Sequence, residues 1–574
     1  MSKLRARLGP IFLSILLLGF FGLLLIWPMV QVVKTGFVSR TGGLTFAYIR
    51  LVFADPALVR GLINATLIAV AVTAATVVLA LPLAVLSARY DFPGKGMLNA
   101  LLLAPLVLPP FVGAIGVRLV LGRYGPLTQL VGGSARYGLG IDWMGHYRVA
   151  GIIAVEALHL YPILLLNLQA ALANIDPAME QSAANLGATR WTILRRITLP
   201  LLRPGMFAGC TLVLIWSFTE LGTPLMFDFY TITPVQVFRQ VLEVASNPLP
   251  YALVTVMLAA STLLYLLGKV VLGRSFDAAT GKANVAVAPR RLRGITAWLA
   301  TGLFMAIFAA AVLPHVAVIL TSFARTGTWY RSLLPTQFTF AHYGQALIDD
   351  LAFPSVIRSM QYASLATLLA VAVGLAAAIV IERSDLPVRG LIDALSMLPL
   401  AVPGLVLAFG YLALSVACKR RWGERTPFFL DVQEWPVLVL VLAYAVRRLP
   451  YIVRSAVAGL EQTPPDLERA AANLGAGHFT VLKKITGPLI GANLVAGALL
   501  VFSFSMLEVS DSLLLAQRTS FYPITKAILD LAQRLGDGLY IASALGVWAM
   551  LLLTLTILIA QSILAKRMGS VFRL

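Results

Sequence analysis

The sequence predicts an all-α polytopic membrane protein with about twelve transmembrane helices, arranged as two homologous six-helix halves. Three observations predict it. The 574 residues are 59% hydrophobic and 12% charged, with a mean hydropathy of +0.87, whereas soluble domains are roughly 45–50% apolar and about 25% charged. Twelve apolar runs approach the roughly 20 residues that a bilayer crossing needs. One segment of the chain also occurs twice at a fixed offset.

The runs lie near 11–33, 62–88, 97–121, 149–172, 205–225, 251–272, 297–322, 361–382, 392–416, 437–460, 492–516 and 541–565. They are continuous rather than alternating, which excludes an outer-membrane barrel. Charge is too sparse for a disordered chain. Two cysteines, Cys210 and Cys418, exclude a disulfide scaffold. The net charge of +20 fits basic loops facing anionic lipid. No basic block interleaves with aromatics, so nucleic acid is not an expected partner and the lipid bilayer is.

The first run follows Lys3, Arg5 and Arg7. It is longer than a signal-peptide core, and no A-x-A site follows Trp27-Pro28, so it reads as a retained anchor with its N-terminus inside. Twelve crossings place the C-terminus inside as well. Arg290, Arg291, Arg293, Lys566 and Arg567 then fall inside, as the positive-inside rule asks, whereas Lys419, Arg420, Arg421 and Arg425 fall outside, against it.

The duplication is explicit. Residues 180–201 (EQSAANLGATRWTILRRITLPL) and 468–489 (ERAAANLGAGHFTVLKKITGPL) are identical at 13 of 22 positions, at an offset of 288. Glu220 and Glu508 share that offset. Arg89-Tyr90-Asp91-Phe92-Pro93 recurs as Arg383-Ser384-Asp385-Leu386-Pro387 at an offset of 294. The expected organisation is a first half at 1–275 with loop 173–203, a linker at 276–294, and a second half at 295–574 with loop 461–491.

Each repeated loop lies between the fourth and fifth runs of its half, on the expected cytoplasmic side. Glu180, Ala183, Ala184 and Gly187 fall at i, i+3, i+4 and i+7, one helical face, and Glu468, Ala471, Ala472 and Gly475 repeat it. Small residues on a face let another protein approach closely. The glycine suits a helix C-terminus. An amphipathic stretch with Trp191, Leu194 and Ile197, or Phe479, Leu482 and Ile485, follows, and Pro200 and Pro488 are expected to break the chain before the next crossing. An amphipathic helix lying on lipid is the alternative for either loop alone. Lipid does not demand the same face twice; a pair of identical protein sockets does.

The pattern E-x-[SA]-A-A-N-L-G-A, followed by I-T-x-P, resembles the EAA loop of bacterial ATP-binding-cassette importer permeases. The resemblance covers essentially the whole chain and is nearest to the fused two-half branch for ferric iron, thiamine, phosphonates and polyamines. It implies that the loops seat in two copies of a separate ATPase subunit, through Glu180, Ala183, Ala184, Gly187 and Pro200 in one and Glu468, Ala471, Ala472, Gly475 and Pro488 in the other. The family's glutamate usually lies six residues before the glycine; here Gln181 and Arg469 hold that place, each preceded by Glu. The resemblance further implies a periplasmic or extracellular solute-binding protein, a cytoplasmic (inner) membrane location, and alternating access. No cofactor is expected on this chain, because G-x-x-x-x-G-K-[ST] is absent; ATP and Mg would sit on the partner.

Ionisable residues within crossings are costly and default to functional candidates. Glu156 and His159 lie in the fourth run, Arg447 and Arg448 in the tenth, and Glu220 and Glu508 in the fifth of each half. They are candidates for the substrate path, or for structural pairing. No Cys/His cluster has metal-ligand spacing, and no catalytic set stands out, so an enzyme is not expected. Ferric iron is the leading cargo, with phosphonate, thiamine and polyamine behind it. A proton-coupled secondary transporter also has twelve crossings in two repeats, but it leaves the doubled loop unexplained.

Overall fold

The computed structural model describes residues 2–39, 43–107, 109–122, 125, 148–244, 246–272, 290–329, 332 and 334–571. Most of the linker expected at 276–294, and most of the stretch between the third and fourth expected runs, lies outside the described residues.

In chain order the main helices are α1 Gly9–Gly36, α2 Pro56–Arg89, α3 Pro110–Leu121, α4 Arg148–Ala173, α5 Pro177–Asn185, α6 Arg203–Phe218, α7 Leu249–Leu272, α8 Ile295–Phe323, α9 Ala352–Arg383, α10 Arg389–Ala401, α11 Gly404–Trp422, α12 Val437–Glu461, α13 Pro465–Asn473, α14 Gly487–Met506, α15 Ser510–Leu515, α16 Ile524–Gln533 and α17 Gly538–Val571. Strands are minimal among the described residues: β1 Tyr90–Asp91 pairs in parallel with β2 Arg290–Arg291. The protein is all-α.

Among the described residues, eight helices are long and apolar enough to cross a membrane unbroken, and three bent pairs raise the number to eleven. The remaining expected run, the tenth, is α12, a continuous 25-residue helix whose apolar sequence carries Arg447, Arg448 and Arg454.

Several expected runs are not straight. Lys95–Leu106 meets α3 at 92°, and α10 meets Gly404–Arg425 at 103°. Pro109 and Pro403 stand at these corners, at the N-caps of α3 and α11. A proline lacks the N–H that would continue a helix, and its ring disfavours helical backbone just before it. The fifth crossings end early: α6 stops at Phe218 and α14 at Met506. Glu220 and Glu508 therefore lie in the turn after a helix, not inside one.

Pro488 does not break its helix; Phe479–Met506 runs through it. A π-helical turn at Leu482–Thr486 immediately precedes it. The wider turn shifts the hydrogen-bond register just where a proline would leave a carbonyl unpaired. The first repeat has the same π turn at Leu194–Thr198, and there a 65° bend does follow, between Leu201 and Arg203.

The chain folds into two compact units. One comprises Met1–Ala54, Val237–Thr255 and Ala341–Leu574; the other comprises Asp55–Gln236 and Val256–Phe340. Each takes its bundle from one repeat and an extra helix from the other repeat's side. In the first, α9, α12 and α14 form the bundle. Ala363, Ala366, Ala370 and Ala377 are buried on α9, and a Cβ at Gly374 would lie 2.5 Å from Ile452. In the second, α2, α4 and α6 do the same, with a Cβ at Gly209 falling 2.6 Å from Leu164. Small residues let helices approach where the solvent is lipid and apolar burial gives no drive.

Helix α1 lies with the second repeat: Tyr411 Oη donates to the Leu24 carbonyl at 2.7 Å. Helix α8 lies with the first: Thr301 Oγ1 donates to the Pro93 carbonyl at 3.0 Å, and Phe304 meets Phe92 edge-on at 4.9 Å.

Candidate functional site: paired loops and buried polar clusters

Helix α5 opens with Asp176, whose side chain accepts from the Ala178 N–H at 2.8 Å, and with Pro177 in the first turn. Both features favour a helix start. It ends in a Schellman turn. Gly187 has φ +84°, its N–H bonds the Ala184 carbonyl, and the Ala188 N–H bonds the Ala183 carbonyl. The second loop repeats the geometry: Gly475 has φ +87°, its N–H bonds Ala472, and the Ala476 N–H bonds Ala471. Gly187 and Gly475 thus close the helices rather than extend their faces.

The two glutamates point inward. Glu180 Oε1 accepts from Arg89 Nη2 and from Thr198 Oγ1, each at 2.8 Å. Glu468 Oε2 accepts from Arg383 Nε at 3.2 Å, and its Oε1 accepts from Thr486 Oγ1 at 2.9 Å. Arg383 also donates to the carbonyls of Leu460 and Thr463 at the end of α12. The outward residues are Gln181, Leu186 and Trp191 in one loop and Arg469, Leu474 and Phe479 in the other. Leu186 is 89% exposed and Leu474 90%. Ala184 and Ala472 are exposed, while Ala183 and Ala471 are half-buried.

Arg89, Arg383, Thr198 and Thr486 escaped the sequence-based candidate list. A signal existed: both arginines open the short repeat at 89–93 and 383–387, and both threonines are the T of I-T-x-P. Nothing in linear spacing ties one motif to the other.

A polar cluster in the first unit joins α12 to the turn after α14. Arg447 and Arg448 both donate to Glu508, and Arg447 lies 3.6 Å from Asp511. Asp511, at 0% side-chain exposure, lies inside the apolar run 492–516 and is absent from the sequence-based candidates. Tyr444 Oη and Ser512 Oγ lie 2.6 Å apart, and Thr525 Oγ1 donates to the Glu508 carbonyl at 2.8 Å. In the second unit, Ser217 donates to Glu156, which is buried. Glu220 Oε1 accepts from the N–H groups of Gly222 and Thr223 at 3.0 and 3.2 Å. His159 Nδ1 lies 2.7 Å from the Pro105 carbonyl. The positions at the 288 offset therefore differ in chemistry: His159 answers Arg447 and Thr223 answers Asp511. Among the described residues, no group of three or more His, Cys, Asp or Glu side chains could hold a metal ion.

Residues 77–277 and 352–570 each match the family described as binding-protein-dependent transport system inner membrane component. The two matches cover most of the chain, and the chain belongs to that family. It is a multi-pass inner-membrane permease component and not an enzyme; in this family ATP hydrolysis falls to a separate subunit, and a substrate-binding protein works with the permease. Its relatives include a Haemophilus influenzae chain named as a ferric transport system permease protein, 28% identical over 419 residues, which are 71% of this chain and 62% of that one. The ferric transport system permease protein FbpB of Actinobacillus pleuropneumoniae is 28% identical over 528 residues, covering 89% of this chain and 72% of that one. The molybdenum transport system permease protein ModB of Escherichia coli (strain K12) is 33% identical over 171 residues, covering 29% of this chain and 71% of that one.

Proposed function

We propose that this chain forms the transmembrane pathway of an ATP-driven importer for ferric iron. Its loops 173–203 and 461–491 seat two copies of the ATPase. Nucleotide binding on those copies moves both loops, and the helices respond by alternating access. Both termini then face the cytoplasm, and the outer loops receive a solute-binding protein carrying the cargo. The chain itself holds no cofactor; ATP and Mg reside on the ATPase.

The observation that carries this reading is the duplicated exposed cap. Leu186 and Leu474 stand out at the same place in the same Schellman turn, and large apolar side chains exposed on a rigid turn fit a protein socket. Iron is favoured because relatives aligned along 71% and 89% of this chain carry ferric transport in their names. Glu156, His159, Glu220, Arg447, Arg448 and Glu508 remain the candidate path residues. In the present conformation Arg447 and Arg448 are turned onto Glu508, so the guanidiniums would reach an anionic cargo complex only if that pairing opened.

Native mass spectrometry of the gently solubilised complex tests the assembly: two ATPase copies per chain are expected, and none would overturn it. Uptake of radiolabelled ferric iron by cells with and without the chain tests the cargo. Unchanged iron uptake with loss of molybdate, phosphonate, thiamine or polyamine uptake would replace iron with that solute.

A further inference from the structure

We propose that Glu180 and Glu468 do not touch the ATPase but act as internal struts. Each fixes its coupling helix to the end of one crossing and the approach to another, so that the helix moves as part of the bundle. This rests on the assignment of the loops as ATPase seats.

The same contact is built twice. In the first copy Arg89 ends α2, Glu180 lies in the first turn of α5, and Thr198 precedes the bend into α6. In the second, Arg383 ends α9, Glu468 lies in the first turn of α13, and Thr486 leads into α14. The arginines are related by an offset of 294 and the other two residues by 288. Six residues of chain-length difference accumulated between the motifs, yet the three groups still meet.

Exposure separates strut from seat. Arg89 and Glu180 are 23% and 19% exposed, and Arg383 and Glu468 are 17% and 19%. Arg469, in the place where the family's glutamate usually stands, is 75% exposed. The half-buried carboxylates are occupied by charge-assisted hydrogen bonds, which hold geometry better than neutral ones. The outward side chains Gln181, Leu186 and Trp191, and Arg469, Leu474 and Phe479, are left to meet the partner. A push on them passes through the carboxylate into α2 or α9. Without it, the short connections Asn174–Asp176 and Gln462–Pro464 would absorb the motion.

The experiment uses the full complex with its ATPase and binding protein in liposomes. Glu180→Gln with Glu468→Gln should retain both ATPase copies and the basal rate of ATP hydrolysis. Transport per ATP should fall by about tenfold, the scale of one charge-assisted hydrogen bond. Exchanging the charges within the first pair (R89E with E180R) should restore much of that loop's share. Where the glutamine variants fail to assemble, Thr198→Val with Thr486→Val gives a milder break and should lower transport per ATP several-fold. Two results would overturn the strut: ATPase lost from the glutamine or valine variants without rescue by the exchange, which marks a direct contact, or transport per ATP unchanged. A wild-type chain that captures no ATPase overturns the underlying seat assignment instead.

Discussion

Gly116 on α3 lies so close to Pro314 on α8 that a methyl group there would fall 1.8 Å from the Pro314 carbonyl oxygen. The other repeat has a counterpart: a methyl at Gly410 on α11 would fall 2.9 Å from the carbonyl carbon of Pro28 on α1. In each unit, the helix supplied by the other repeat's side is seated by a proline against a glycine.

Gly116→Ala should therefore destabilise the protein more than Gly410→Ala, because its methyl would overlap a backbone atom at 1.8 Å, against 2.9 Å at Gly410. Overpacking typically costs about 1–3 kcal/mol, and Gly116→Ala should reach the upper end. Thermal unfolding in detergent reads both, and a Gly116→Ala protein as stable as wild type would refute the close approach.

Gly187→Ala and Gly475→Ala have a different expected cost. No atom lies within 4 Å of either added methyl, so only the left-handed backbone resists, by about 1–2 kcal/mol. The loss should be local. Hydrogen exchange should speed up across α5 or α13 while global melting stays put, and asparagine should be tolerated better than alanine. Equal exchange in all variants would remove the Schellman turn from the account.

Trp191 and Phe479 are 67% and 76% exposed. Replacing both with alanine should leave melting unchanged and weaken ATPase association, by about 2 kcal/mol or more per side chain if each is a hot spot. Titration of the ATPase onto nanodisc-held chain measures it; unaltered affinity would move the seat elsewhere.

Glu508→Gln strips Arg447 and Arg448 of the carboxylate they share. Breaking a buried pair by removing one partner costs about 3–5 kcal/mol. Glu156→Gln should cost under about 1 kcal/mol, because Ser217 is the only hydrogen-bond partner recorded for its carboxyl among the described residues. Equal melting shifts for the two variants would contradict the cluster's role.

Asp349, in the turn before α9, meets Arg534 at 2.8 Å. Burial pushes its carboxyl upward, but the hydrogen bond from Arg534, the N–H groups of Leu351 and Ala352, and the charge of Arg534 hold it below its ordinary value of 3.8. A folded-state value below the unfolded one contributes stability above the unfolded value and loses it as pH falls through the folded one. Acid unfolding should therefore show a step below about pH 3.8, which Arg534→Met shrinks while the N–H groups of Leu351 and Ala352 keep part of it. At neutral pH the same variant should cost under about 1 kcal/mol, since the arginine is half-exposed. A step of unchanged size in Arg534→Met would assign it to another group.

The class of protein, the apolar helices, the duplication and the two loops are all legible in the sequence. They are written in signals that stay local: apolar run length and direct repetition. What spacing cannot express is which distant groups meet. Arg89 and Glu180 are 91 residues apart, and Arg383 and Glu468 are 85 apart; only helix packing brings them together and turns the glutamates inward. Packing likewise decides that α1 joins the second repeat and α8 the first, that Asp511 lies beside Arg447, and that Pro488 passes through its helix while Pro109 and Pro403 stand at corners. A run of hydropathy marks a segment as able to cross a membrane. Where it bends, and which neighbour it meets, follow from small residues and buried charges whose partners come from other parts of the chain.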